Sequence, residues 1–208
     1  MIESETKDLV VLVADKDAKS GIDSLLSRSE SLNIRPITFD CFPHPRHDPG
    51  VYHEAPKFLR PLAKLYSYAL VLFDHEGSGQ EKISSDQLAV TLKEQIEKNG
   101  WQDRVEVIIF DPELEAWVWT ESMHTAKSLG WNDYPKLKNW LIERGYWQNQ
   151  SIKPTRPKEA LESALREKRI PRSSSIYQEI AKRVSLEQCQ NHSFKTLREI
   201  LSKWFPCK

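Results

Sequence analysis

Three places in this 208-residue chain release carboxylates directly after an apolar run. Asp8–Ala14 (DLVVLVA) is followed by Asp15-Lys16-Asp17. Tyr68–Phe73 (YALVLF) is followed by Asp74-His75-Glu76 and then Gly77-Ser78-Gly79. Arg104–Phe110 (RVEVIIF) is followed by Asp111-Pro112-Glu113-Leu114-Glu115. If the three runs are strands of one parallel sheet, all these acids meet at its carboxyl edge, where open α/β sheets place their sites. Six or seven carboxylates on one rim repel one another. They must take up protons, meet Lys or Arg, or bind a hard cation through oxygen. Mg²⁺ or Mn²⁺ is the usual cation, with positions left for water or phosphate, which suits hydrolysis or transfer at a phosphodiester. Asp15, Asp17, Asp74, Glu76, Asp111 and Glu113 are the candidate ligands. The competing reading is structural: acids often open helices, where the helix dipole favours them, and Asp17 and Glu113 would need no more than that.

The elements that must position these acids follow from periodicity. The first two runs are apolar at nearly every position, as in strands buried on both faces. A weaker run, Ile34–Phe39, carries Pro36 and reads as an edge strand. Helical spacing of apolar residues occurs over Ser20–Ser31, Ala55–Tyr66 and Ser84–Asn99, the last ending at Gly100. Strand alternating with helix predicts an α/β fold, a Rossmann-like, mostly parallel sheet of about four strands over residues 1–122. After Asp111 the strand signal stops. A helix is expected over Glu113–Glu121, then helices over Tyr134–Arg144, Pro157–Lys168, Ser174–Val184 and Ser193–Trp204, a helical region 123–208 packed on the sheet.

Hydrophobic residues at 39% and charged residues at 29% exclude a disordered or fibrous chain. No apolar run reaches the roughly 18–20 residues of a membrane span, and the first residues lack the pattern of a signal peptide. Cys41, Cys189 and Cys207 are scattered and odd in number, which points to a reducing, cytoplasmic setting. The zero net charge conceals an asymmetry: residues 151–208 hold 13 basic and 6 acidic side chains, so residues 1–150 hold 17 and 24. An acidic front for metal beside a basic tail for anions fits that division.

An apolar strand ending in an acid, then a later strand ending in an acid-x-acid pair, resembles a Toprim domain, the metal-binding fold of topoisomerases, DnaG-type primases and OLD-family nucleases. Phe110-Asp111-Pro112-Glu113-Leu114-Glu115-Ala116-Trp117 is similar to a PE-x-EAW motif of a bacterial branch of Toprim-like proteins. The resemblance covers roughly residues 8–120. It implies a Mg²⁺- or Mn²⁺-dependent nuclease in antiphage defence, acting on DNA or RNA, with a larger partner such as an ATPase. It matches Asp74 and Glu76 to the metal-binding pair, and Asp15 to the first-strand acid. Toprim enzymes carry Glu there, usually followed by Gly, whereas this chain has Asp15-Lys16. A non-catalytic interaction or regulatory subunit is therefore the alternative, and a small-molecule nucleotide phosphohydrolase the second. Asp15, Glu76 and Lys158 are the candidate catalytic residues: Asp15 as acid/base or a further ligand, with Lys153 or Lys158 to neutralise transition-state charge.

Three further features carry expectations. Lys153, Arg156 and Lys158 open the densest basic stretch and are candidate phosphate contacts, with a solvated helix face as the rival. Six of the seven tryptophans lie between Trp101 and Trp147, where they read as core more readily than as base-stacking platforms. Trp117 and Trp119, two apart on a helix, cannot share one face, so one belongs against the sheet and the other under the tail. Cys41, His44, His47, Asp48 and His53 crowd one stretch that reads as a loop and would be a zinc site if the side chains converged, with His47 or Asp48 able to reach the acidic rim.

Overall fold

The computed structural model describes residues 6–186, 189 and 191–207. Its centre is a four-stranded, all-parallel sheet of β1 (Lys7–Val13), β2 (Phe39–Pro43), β3 (Tyr66–Asp74) and β4 (Val105–Phe110), in the order β2-β1-β3-β4. The three central runs fall where the apolar pattern puts them. In register, Val13 pairs with Leu72 and Asp74 with Phe110, so the ends of β1, β3 and β4 lie side by side.

The edge strand differs from expectation. Ile34 makes only an isolated bridge to Pro206, and pairing with β1 starts at Phe39. The helices in the first half are α1 (Lys16–Leu26), α2 (Ser29–Leu32), α3 (His47–Leu59) and α4 (Ser85–Ile96). The first begins four residues before the expected Ser20, because Asp15 caps it by accepting a hydrogen bond from the Ala18 N–H at 2.8 Å. The third overturns the loop reading of the Cys/His stretch: Cys41 is in β2, and His47 opens a helix that ends before the expected Ala55–Tyr66 span is complete.

Period-two alternation divides the sheet between two layers. Val10, Leu12, Ala69, Val71, Phe73, Val107 and Ile109 pack against α3, α4 and the buried Trp101. Leu9, Val11, Val13, Leu70, Leu72, Ile108 and Phe110 face α1 and the helices that follow the sheet. These are α5 (Glu115–Val118), α6 (Met123–Ser128), α7 (Tyr134–Glu143), α8 (Pro157–Glu167), α9 (Ser174–Arg183) and α10 (His192–Trp204). Their apolar side chains join the same cluster as the sheet, with α9 lying along α1.

The tryptophans are core. Trp117 stands edge-on to Phe110 of β4 at 4.6 Å and to Phe194 of α10 at 5.0 Å. Trp119 stands edge-on to Trp147 at 5.6 Å and donates Nε1–H to the Pro157 carbonyl at 3.0 Å. One seals the sheet and the other the tail. The helix expected over Glu113–Glu121 is a single turn, however, and Trp119 already lies beyond it. No helix among the described residues is long and apolar enough to cross a membrane.

Candidate metal centre

At the carboxyl edge, Asp74 ends β3, while Glu113 and Glu115 follow β4 after the cis Asp111–Pro112 bond. One oxygen from each of these three carboxylates lies within 4.8 Å of the others, the one grouping of three or more such ligands among the described residues. Glu113 and Glu115 are buried.

Each carboxylate has one oxygen tied by a hydrogen bond. Asp74 Oδ1 accepts the Leu114 N–H at 2.8 Å. Glu113 Oε1 accepts the Lys158 N–H at 2.8 Å. Glu115 Oε1 accepts both the Tyr177 hydroxyl at 2.5 Å and Arg172 Nη2 at 3.0 Å. Such anchors hold a carboxylate in one orientation and leave its second oxygen to a ligand. The donors are all oxygen, without thiolate or imidazole, which fits a hard divalent cation rather than zinc.

Asp48, the second residue of α3, extends the cluster. Its Oδ1 accepts the Asp74 N–H at 2.8 Å. Burial, and next the charge of Asp15, raises its carboxyl above the usual range against that bond. Burial, then the charges of Asp48 and Glu115, pushes Asp74 well above its ordinary value. Burial raises Glu113 to about 7, with Glu115 and Glu76 adding repulsion and the Lys158 N–H and ammonium opposing it. Burial and mutual repulsion thus drive all three carboxyls toward protonation, and a divalent cation is one way to relieve that repulsion.

The expected ligands do not all converge. Asp74 and Glu113 are in the triad. Asp15 caps α1 at its border. Asp17 accepts the Ser174 hydroxyl at 2.6 Å and pairs with Arg172 at 3.1 Å. Glu76 is exposed and is felt by Glu113 only as a nearby charge. Asp111 faces α4, accepting the Ser85 hydroxyl at 2.9 Å. Glu115, buried by tertiary contacts, completes the triad instead, and Asp48, half-buried, borders it through the Asp74 N–H.

The basic candidates also separate. Lys158 Nζ stands 3.8 Å from Glu113 Oε2. Arg156 is exposed and pairs with Glu159 at 2.6 Å. Lys153 donates instead to the Ala116 carbonyl, and burial lowers its pKa. The zinc set does not form: among the described residues no Cys or His side chain joins a grouping of three or more ligands, and Cys41 is buried in β2. His44 is buried between Glu54, at 3.3 Å, and the Arg46 N–H, at 3.2 Å.

Beside Asp15 an open cleft of about 460 Å³ is lined by Lys16, Asp17, His44, His47 and Ser174, among others. Comparison with family models, with curated proteins and with solved structures finds no match to this chain.

Proposed function

We propose that this chain is a divalent-metal-dependent hydrolase of phosphodiesters in nucleic acid. The observation that carries the reading is the anchored triad: Asp74, Glu113 and Glu115, each tied through one oxygen and each offering an oxygen within 4.8 Å of the others'. These three residues would hold Mg²⁺ or Mn²⁺, whose part is to polarise a phosphoryl oxygen. Lys158 borders Glu113 and can meet negative charge that develops on phosphate. Asp15, on the wall of the neighbouring cleft, would be the group to accept a proton from the attacking water. The cleft's Lys16 and His47 offer donors to a phosphate or sugar. The resemblance to Toprim-like proteins extends the proposal to antiphage defence with a larger partner.

Single-stranded DNA, double-stranded DNA, RNA and free nucleotides, each incubated with Mg²⁺ or Mn²⁺, test the reading. Metal-dependent cleavage of a polymer, lost in Asp74→Asn, supports it. Metal binding without any cleavage replaces it by a non-catalytic interaction module. Turnover of nucleotides alone replaces it by a small-molecule phosphohydrolase.

A further inference from the structure

Glu115 is the most enclosed member of the triad, at 1% exposure, yet it sits on α5, a helix of only four residues. So short a helix does little to orient a long, buried carboxylate. What orients it comes from far along the chain. Tyr177 on α9 and Arg172, just before α9, place their donors on the same oxygen, Oε1. Both of these bonds fall on Oε1, and neither uses the second oxygen, Oε2. Arg172 also reaches Asp17 on α1 at 3.1 Å and Glu162 on α8 at 2.9 Å, so its guanidinium is itself held from three sides.

We propose that Tyr177 and Arg172 are positioning residues of the metal centre: they hold Glu115 Oε1 so that the carboxylate stays beside Asp74 and Glu113 as a ligand. The inference rests on the triad's binding a divalent cation. A buried cluster kept only for stability would need Arg172, which neutralises charge. It would gain much less from a neutral hydroxyl laid on the oxygen Arg172 already serves. A second donor on one oxygen makes sense where the direction of the other oxygen matters, and such outer contacts typically account for 10–100-fold in metal affinity.

Titration of the full chain with Mn²⁺, followed by electron paramagnetic resonance, separates the possibilities. Tyr177→Phe removes one oxygen atom and no charge at neutral pH. It is expected to weaken Mn²⁺ binding about 10-fold and to change the spectrum of the bound ion. Tyr66→Phe is the matched control, since Tyr66 donates to Asp40 at 2.6 Å away from the triad, and it is expected to bind as the parent does. If Tyr177→Phe is poorly folded, Arg172→Lys, which keeps the charge but not the fork, takes its place and is expected to weaken binding likewise. A parent that binds Mn²⁺ together with a Tyr177→Phe or Arg172→Lys variant that binds equally well overturns the positioning role alone. A parent that leaves all Mn²⁺ free overturns the metal reading and this inference with it.

Discussion

The backbone N–H of Lys158, in the first turn of α8, donates to Glu113 Oε1 at 2.8 Å, 45 residues back along the chain. A helix that offers its own cap no side-chain hydrogen bond is thus closed by a carboxylate from the sheet edge. The same carboxylate belongs to the acidic triad, so the helical region and the candidate metal centre cannot be altered independently.

The raised carboxyl of Glu113 sets a pH dependence. Its folded value, about 7, lies above the ordinary 4.5, so between those values the folded metal-free protein holds more protons than the unfolded chain. The stability it contributes is complete below pH 4.5 and is lost as pH rises through 7. Asp74, shifted in the same direction, adds to the trend. Glu113 alone is expected to make the metal-free protein on the order of 3 kcal/mol more stable at the acid end of that window, since the rise from 4.5 to about 7, at about 1.4 kcal/mol per pKa unit, gives about 3.5 kcal/mol before solvent screening. Urea denaturation at a series of pH values measures the slope. Glu113→Gln should flatten it, and an unchanged slope in that variant would show that the charge resides elsewhere.

Removing charge from the triad should stabilise the metal-free protein. Asp74→Asn keeps an oxygen to accept the Leu114 N–H and deletes one of the repelling charges. Its melting temperature is expected to rise without metal. Millimolar Mg²⁺ or Mn²⁺ should stabilise the parent by RT ln(1 + [L]/Kd) and the variant far less. Glu76→Gln, at an exposed position, is expected to move neither quantity much. Scanning fluorimetry of the three proteins suffices, and an Asp74→Asn that melts lower and still responds to metal falsifies the assignment.

Nucleic-acid binding, if present, should distinguish the lysines. Each phosphate contact contributes about −0.7 to −0.9 to the log–log salt slope. Lys158→Ala is expected to flatten the slope by about that amount. Lys153→Ala is expected to leave it unchanged while lowering stability, because its ammonium is already spent on the Ala116 carbonyl. A salt slope that responds to Lys153 and not to Lys158 would contradict this arrangement.

Trp119→Ala should cost about 3–5 kcal/mol, the usual loss for a large buried aromatic. The side chain is 2% exposed, and its indole N–H is bonded to the Pro157 carbonyl. Chemical denaturation reads the loss directly. A variant as stable as the parent would mean the ring is not part of the core.

Much of the fold was legible because β1, β3 and β4 are buried on both faces and therefore read as uninterrupted apolar runs. The edge strand β2 was misplaced because its residues, FDCFP, bury little besides Cys41. The helix His47–Leu59 was hidden by Pro49, Gly50 and Pro56, each a helix breaker by propensity. Gly50 is explained by packing: a Cβ there would meet His44 Nδ1 at 2.3 Å, so the buried histidine requires it. Half of the candidate site was visible as strand-end acids, Asp74 and Glu113. Glu115 was passed over because nothing local shows its burial, and its partner Arg172 stands 57 residues away. Asp48 escaped for the same reason, since only the fold brings it to the Asp74 amide.

The separation of 62 positions from Glu115 to Tyr177 also has a meaning in time. Chains are made from the N-terminus at about 5–20 residues per second, so Glu115 exists for roughly 3–12 s before the hydroxyl that orients it has been synthesised. During that interval the sheet and its acids can assemble, but the carboxylate lacks its hold. Glu115 gains this hold only once α9 has been made and has docked along α1.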